Sequence, residues 1–292
     1  MSIAFNFCHR PFIVTFLYKE VTRYNDVVMI LLRKDKSRAE IEEVGSYLYS
    51  LTINGKDVLL KGNKKNFTLG GMAILVPFTN RIREGKYTFE GKEYTLERNE
   101  EGNAIHGLIL DKRFNVKEKS DDSALLEYLL SNKGYPAKIR VEVSYALGES
   151  SLETKISVTN IDNTSAPLVV GAHPYFLVSD DWKIEPKKVK KCLAVNHIPT
   201  GKMIDFDLST NREYDDCFYI CNSLTLISSY SSIRISSNNM CFYQIYTGIK
   251  GAVAIEPMSG APDAFNNKIG LKILKPHNTT SYSFTISYIS LF

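Results

Sequence analysis

The stretch IRVEVSYALGESSLETKISV, residues 139–158, indicates the fold more clearly than any other part of the chain. Apolar and polar residues alternate on both sides of Gly148, beginning at Ile139 and ending at Val158. Side chains point alternately to the two faces of a strand, so this pattern predicts two strands that each bury one face. Gly148 and its polar neighbours provide the turn between them. The stretch therefore predicts an antiparallel β-hairpin.

Two shorter segments show the same pattern. Residues 47–60 carry Asn54-Gly55 between two apolar runs, and residues 87–96 carry Glu90-Gly91-Lys92. From Ala39 onward, runs rich in Val, Ile, Thr, Tyr and Phe alternate with turn residues, and helical periodicity is hard to find. We therefore predict an all-β fold of antiparallel strands, either a large β-sandwich of two packed sheets or a wide barrel, with few short helices.

The chain is predicted to form one domain over residues 29–292, preceded by an N-terminal extension of uncertain role at residues 1–28. The apolar run Pro11–Tyr18 within the extension is much shorter than the roughly 20 residues that a membrane span needs. No small-residue cleavage site of a signal peptide follows it. We expect no membrane anchor here, and an alternative start site near Met29 is a second reading of the same segment.

Composition limits the classes of protein to which the chain can belong. Of its 292 residues, 44% are hydrophobic and 23% charged, so it can bury a large core. A net charge of +4 is too small to indicate a nucleic-acid or membrane partner. Five scattered cysteines fit reduced thiols better than a disulfide framework. We expect a cytoplasmic protein, and either a monomer or a homodimer.

No cofactor and no metal are expected. The chain lacks a glycine-rich phosphate-binding loop. The spacing of Cys217 and Cys221 is not that of metal ligands on a strand, where an even separation only places both thiols on one face.

Three residues stand out as candidates for chemistry. His106 precedes Gly107, which allows a ligand to approach the backbone closely. His173 follows an apolar run, and Pro174 is expected to end that strand. Glu256 follows the apolar run 252–255, so partial burial should raise its pKa and make it a better base. Each of the three is also compatible with a structural role.

Three further residues have two readings each. Arg81 can clamp oxygen atoms with a rigid fork of donors, although a surface position is the ordinary one for arginine. Asp215 can accept hydrogen bonds from a ligand or cap a turn. Asp263 follows Pro262, a favoured turn sequence, so we predict a turn residue outside the site.

Six short segments, in order, resemble the aldose 1-epimerase (galactose mutarotase-like) family, over roughly Met29 to the C-terminus. No single segment is specific to that family, but the six segments in this order are. The resemblance implies a galactose mutarotase-like supersandwich whose concave face binds a monosaccharide. The segments are 77–92, 105–107, 171–176, 215–218, 244–248, and 255–257 together with 262–266.

The resemblance also implies roles for individual residues. It makes Glu256 the general base and His173 the general acid of an isomerase that interconverts the α and β anomers of a free aldose such as glucose or galactose. The residues that it implies bind the substrate are Asn80, Arg81, His106, Asp215 and Gln244. Asp215 and Asp216 are adjacent, and the strand period allows only one of them to face the sugar. An ordinary histidine, with a pKa near 6.5, could donate a proton at neutral pH, and a glutamate is ionised there unless buried.

Three alternative functions are also compatible with the sequence. A sugar-phosphate (hexose-6-phosphate) 1-epimerase could use Arg81, Arg83 and Lys86 to hold the phosphate. A glycoside hydrolase could use Asp215 and Glu256 as a carboxylate pair. A non-catalytic carbohydrate-binding domain could share the same fold.

Overall fold

The computed structural model describes residues 22–24, 27–208 and 213–289. Nearly all of its regular structure is β-strand; the short helices are a 3-10 turn at Arg83–Gly85 and α1 (Ala264–Asn267). In chain order the strands are β1 (Thr22–Tyr24), β2 (Val27–Lys34), β3 (Ser37–Glu42), β4 (Tyr47–Ile53), β5 (Lys56–Asp57), β6 (Met72–Leu75), β7 (Arg81–Ile82), β8 (Lys86–Phe89), β9 (Lys92–Thr95), β10 (Ala104–Ile105), β11 (Asn115–Lys119), β12 (Ser123–Leu130), β13 (Ile139–Leu147), β14 (Ser151–Asn160), β15 (Ala166–Leu168), β16 (Gly171–Leu177), β17 (Lys183–Glu185), β18 (Lys188–Val195), β19 (Ile198–Asp207), β20 (Asp215–Tyr219), β21 (Asn222–Ile227), β22 (Ser232–Ser237), β23 (Phe242–Tyr246), β24 (Ala252–Met258), β25 (Lys272–Leu274) and β26 (Thr279–Ile289).

Two large antiparallel sheets carry the architecture. The twelve-stranded sheet runs β1-β2-β3-β4-β6-β16-β24-β23-β20-β18-β19, with β5 added to β4. The eight-stranded sheet runs β11-β12-β13-β14-β26-β22-β21-β17. Their inward-facing residues form one apolar core, which includes Ile41 and Ile74 from the first sheet and Val143 and Ile156 from the second. This confirms the prediction of an all-β antiparallel sandwich with few short helices.

The three predicted hairpins are confirmed. In residues 139–158, β13 pairs with β14 from Ile139↔Asn160 to Leu147↔Leu152, and the alternate apolar side chains are buried in the core. In the other two hairpins, β4 pairs with β5 and β8 pairs with β9, both antiparallel. Local alternation of apolar and polar residues was therefore sufficient to place these elements.

Pro174 does not end its strand as the sequence indicated. Strand β16 continues to Leu177, and its pairs with β6 run through Pro174. On the other side, the pairs with β24 occur at Gly171 and resume only at Tyr175. A proline has no N–H to donate, so it interrupts the ladder on one side without stopping the other. His173 therefore lies inside a central strand, not at its end.

The sheet begins before Met29. Strand β1 pairs with β2 from Thr22↔Met29 to Tyr24↔Val27, inside the predicted extension. The remainder of that extension, residues 1–21 and 25–26, lies outside the described residues. The single domain over 29–292 stays a prediction. Within the described part of the chain, no helix has the length and apolar character needed to cross a membrane.

Asp263 is a turn residue, in agreement with its sequence context. It has a left-handed φ of 59° and precedes α1. Its carboxylate accepts hydrogen bonds from the backbone N–H of Arg83 and from the side chain of Asn266, and its own N–H donates to the carbonyl of Arg81. Asp263 thus fixes the α1 turn to the strand that carries Arg81.

We expect Phe265→Ala to lower the free energy of unfolding by about 3–5 kcal/mol, because truncation of a buried phenylalanine leaves a cavity. Phe265 is 1% exposed, and its ring lies 4.9 Å from that of Tyr87 and 5.9 Å from that of Phe78. Urea unfolding measures the change, with Leu129→Ala as the control because Leu129 is 54% exposed. Equal losses in the two variants would show that this aromatic cluster is not a structural support.

Candidate active site

A cavity of about 290 Å³ opens on the centre of the twelve-stranded sheet. Its size is near the lower end of the range for small-molecule sites. Six of the seven predicted site residues line it, namely Asn80, Arg81, His106, His173, Asp215 and Glu256. A larger cleft of about 660 Å³ lies against β18, β19 and β20 and contains none of them. The chemistry suggested by the sequence therefore converges on the smaller cavity.

His173, Glu256 and Gln244 form one row across three adjacent strands. Gln244 of β23 pairs directly with Glu256 of β24. The pairs Gly171↔Met258 and Tyr175↔Ala254 set a register that places His173 opposite Glu256. Cross-strand neighbours in one row project from the same face of a sheet. The strand register therefore brings the three side chains together.

The imidazole of His173 and the carboxyl of Glu256 are in direct contact. His173 Nε2 lies 3.1 Å from Glu256 Oε1, and the two residues are 4% and 1% exposed. Burial raises the pKa of Glu256 well above its usual range; Asp215 raises it further and Arg81 lowers it. Burial also lowers the pKa of His173 to about 4, so the expectation of an ordinary histidine pKa is wrong. The surroundings favour the form in which both groups are neutral.

His106 lies against this pair. Its ring centroid is 5.2 Å from that of His173, and burial, followed by His173 and Arg81, lowers its pKa well below the ordinary value. The next residue, Gly107, has a φ of 83°, and a Cβ there would collide with the carbonyl oxygen of Val76. Glycine therefore allows the chain to pass close to Val76 while it presents His106, as a neutral imidazole, to the cavity.

Four buried polar atoms lie in or beside this cavity, three of them in residues that line it and one in Gln244, which does not. They have no hydrogen-bond partner among the described residues: His106 Nδ1, His173 Nδ1, Gln244 Oε1 and Glu256 Oε2. Buried polar groups in proteins are normally hydrogen-bonded. A polar ligand in the cavity could pair with those that belong to its lining residues, His106, His173 and Glu256.

Arg81 is fixed by three neighbours. Its Nε lies 2.8 Å from Glu101 Oε2 and its Nη2 lies 3.3 Å from Glu101 Oε1, a two-point contact. Its Nη1 donates to Asn80 Oδ1 at 3.3 Å, and Nη2 lies 3.7 Å from Asp215 Oδ2. The backbone carbonyl of Asn80 accepts the N–H of His106 at 2.9 Å, which joins the Asn80-Arg81 pair to the first histidine.

Asp215 faces the cavity and Asp216 does not. The side-chain amide of Gln244 donates to Asp215 Oδ1 at 2.6 Å, and His197 Nδ1 lies 3.1 Å from Asp215 Oδ2. Asp216 instead forms an ion pair of 2.7 Å with Lys191. The alternation of side chains along β20 thus leaves only Asp215 available to a ligand.

The sequence did not single out several lining residues. Tyr175 and Tyr246 lie two positions beyond His173 and Gln244 on the same strands, so the strand period could have identified them. Glu101 and His197 lie in loops, where no periodic signal exists. Among the described residues, no group of three or more His, Cys, Asp or Glu side chains could hold a metal ion.

Comparison with known proteins places these observations in a family. The family model described as aldose 1-epimerase matches residues 28–287. An uncharacterized protein of Escherichia coli K12, YihR, is 30% identical over 268 residues, which cover 82% of this chain and 87% of that protein. The galactose mutarotase of Rattus norvegicus is 29% identical over 108 residues, or 36% of this chain and 31% of that protein.

Solved structures share the fold. A galactose mutarotase-like protein from Clostridium acetobutylicum superposes with a TM-score of 0.83 at 20% identity, over 94% of this chain and 98% of that one. A galactose 1-epimerase from Lactobacillus acidophilus superposes with a TM-score of 0.74 at 16% identity, over 92% and 96%. At these identities the likeness concerns the fold alone.

Proposed function

The chain belongs to the aldose 1-epimerase family, and we propose that it interconverts the α and β anomers of a free aldose such as glucose or galactose. The observation that carries this proposal is the 3.1 Å contact between His173 and Glu256 at the base of the cavity. A paired acid and base can act on two oxygens of one sugar ring. The reaction needs no cofactor.

Anomer interconversion requires two proton transfers. Glu256, as a carboxylate, takes the proton of the anomeric hydroxyl, while His173, as an imidazolium, gives a proton to the ring oxygen. The bond from C1 to the ring oxygen breaks, and C1 becomes an aldehyde. Rotation about the C1–C2 bond presents the other face, and the reverse transfers close the ring. The total number of protons on the pair stays constant throughout.

The neutral form favoured by burial is the form that the pair has once the ring is open. Before opening, one proton must pass from Glu256 to His173 across their contact. Arg81 assists, because its positive charge lowers the pKa of Glu256. A bound sugar whose hydroxyl donates a hydrogen bond to Glu256 Oε2 would favour the carboxylate further.

The remaining residues are proposed to bind the substrate. His106 is neutral and can donate or accept a hydrogen bond, and Arg81 offsets charge that develops on the oxygens. Asp215 can accept bonds from two hydroxyls, with Gln244 and Asn80 as neutral partners. Arg81, Asn80, Asp215 and Gln244 are preorganised, since each is already hydrogen-bonded to a neighbour.

The alternatives are less well supported by the lining of the cavity. Arg83 and Lys86 are not among the residues that line it, so Arg81 is the only Lys or Arg side chain there within the described part of the chain. A hydrolase would need a second carboxyl group that is free to act on the glycosidic bond, whereas Asp215 already contacts Gln244, Arg81 and His197. The cytoplasmic location and the choice between monomer and homodimer stay predictions.

Polarimetry with freshly dissolved α-D-glucose and α-D-galactose tests the proposal. The protein should bring the optical rotation to its equilibrium value faster than buffer alone. A rate equal to that of buffer, with sugar binding retained, would make the protein a binding module. Release of aglycone from a nitrophenyl glycoside would make it a hydrolase.

The lowered pKa of His173 also predicts acid sensitivity. As the pH falls, the unfolded chain takes up a proton near pH 6.5, but folded His173 does so only near a pKa of about 4. Protonation of His173 therefore leaves the free energy of unfolding unchanged above about pH 6.5. It lowers that free energy as the pH falls to about 4, by up to about 3 kcal/mol. The raised pKa of Glu256 acts the other way, because stability is lost as the pH rises through it.

Urea unfolding at about pH 7 and about pH 4.5, for wild type and His173→Asn, isolates this effect. Glu256 and the surface carboxylates are present in both proteins. The loss of stability between the two pH values should be smaller in the variant. Identical losses would mean that His173 does not resist protonation in the folded state.

A further inference from the structure

Four charged or polar side chains form a continuous series of contacts across the mouth of the cavity. Glu101 contacts Arg81 at 2.8 Å, Arg81 lies 3.7 Å from Asp215, and Asp215 lies 3.1 Å from His197. The side chains at the two ends are half exposed, 52% for Glu101 and 49% for His197. Arg81, in the middle, is only 8% exposed. This series of contacts therefore begins and ends at the surface and passes through the site.

A turn holds the residue at each end of this series of contacts. Glu101 lies in a turn in which Asn99 and Asn103 exchange hydrogen bonds. His197 lies in the turn between β18 and β19, where its own φ is 63° and that of Asn196 is 49°. The pKa of Glu101 is lowered, mainly by its hydrogen bond to Arg81, and in smaller part by the charge of His197. Both loops border the mouth and are connected through Arg81 and Asp215.

The position of the reacting pair fixes what reaches this mouth. Glu256 and His173 are almost fully buried, so a sugar must place its anomeric carbon at the base of the cavity. With the anomeric hydroxyl and the ring oxygen at the reacting pair, the part of the ring from C3 to C6 is directed outward, and Glu101 and His197 are half-exposed lining residues at that opening. Substituents at this end are the ones that the mouth can distinguish.

The charges at the mouth oppose an anionic substituent. Two carboxylates, Glu101 and Asp215, flank the guanidinium of Arg81, so its positive charge is already matched from both sides. Glu101 also occupies Nε and Nη2 of Arg81, the two-point face that would otherwise bind a phosphate. A phosphorylated sugar meets repulsion here and finds the fork already occupied.

We propose, building on the epimerase function proposed above, that Glu101 and His197 form a charge-selecting subsite for the end of the sugar remote from the anomeric carbon. The subsite accepts hydroxyl groups and excludes phosphate and carboxylate groups. Glu101 provides the exclusion, through its charge and through its hold on Arg81. His197 keeps Asp215 oriented toward the sugar.

Calorimetric titration with D-galactose and D-galactose 6-phosphate at low salt tests the role of Glu101. We expect wild type to bind the neutral sugar more tightly. Glu101→Gln should reduce that preference on the order of tenfold, because it removes one nearby negative charge and frees the fork of Arg81. Glu100→Gln is the matched control: it makes the same change of charge at the next residue, which is exposed and does not line the cavity.

An equal preference in the two glutamine variants would overturn the subsite, as would a wild type that binds both sugars equally or binds neither. Polarimetry on the same samples keeps the two proposals apart. Absence of any acceleration by wild type rejects the epimerase, whereas the binding preference still reports on Glu101.

His197→Gln tests the other end of this series of contacts. We expect KM for free galactose to rise several-fold while kcat is retained, since Asp215 loses an orienting partner but the reacting pair is untouched. His277→Gln is the control, because His277 is exposed and bonds to Asn163 outside the cavity. Unchanged KM in His197→Gln would remove His197 from the subsite.

Discussion

Glu256→Gln is expected to slow anomer interconversion by about a hundredfold to ten-thousandfold, the usual contribution of a positioned acid or base. Glutamine has nearly the shape of glutamate but cannot accept the proton of the anomeric hydroxyl. Affinity for galactose should change little, because Asp215, Arg81 and His106 are retained. Polarimetry gives the rate, and calorimetric titration gives the affinity.

A matched control separates this effect from misfolding. Glu153 lies on β14, in the eight-stranded sheet, and is exposed, so Glu153→Gln makes the same chemical change away from the cavity. Thermal unfolding should be similar for all three proteins. A Glu256→Gln enzyme with a rate within about twofold of wild type would mean that another group is the base.

His173→Gln is expected to cause a loss of the same order, about a hundredfold to ten-thousandfold. Without the imidazole, nothing at the base of the cavity can protonate the ring oxygen while Glu256 takes the other proton. Because the two residues act as one unit, the double variant should be no slower than the slower single variant.

Measured rates for wild type, both single variants and the double variant form a complete cycle. His277→Gln provides the control for loss of a histidine, since that side chain is exposed. Additive losses in the double variant would show that His173 and Glu256 act independently, in conflict with the shared proton inferred from their contact.

Much of the fold was predictable because its determinants are local. In residues 139–158, alternation alone identified both strands, and Gly148 identified the turn. Pro174 was misread because proline removes only one donor, on one side of the strand, and the sequence does not show which neighbours a strand has. The number of strands in each sheet and their order depend on long-range pairing, which alternation does not specify.

The site divides in the same way. His173, Gln244 and Glu256 were predicted from short segments that resemble the family, and the strand register places the three side chains in one row. Glu101 lies beside Arg81 because of a turn and the pairing of β7 with β10, and neither leaves a local pattern. The low pKa of His173 was missed because it arises from burial, which requires the assembled sheet.

Exchange NMR spectroscopy of galactose at anomeric equilibrium, with wild type and Glu256→Gln, tests directly whether Glu256 and His173 carry out the reaction. With wild type we expect exchange cross-peaks between the α and β anomeric protons, at a rate well above that in buffer, and with the variant we expect the buffer rate. A wild-type rate equal to that of buffer, or an equal acceleration by both proteins, would contradict the claim that Glu256 and His173 interconvert the anomers of a free aldose.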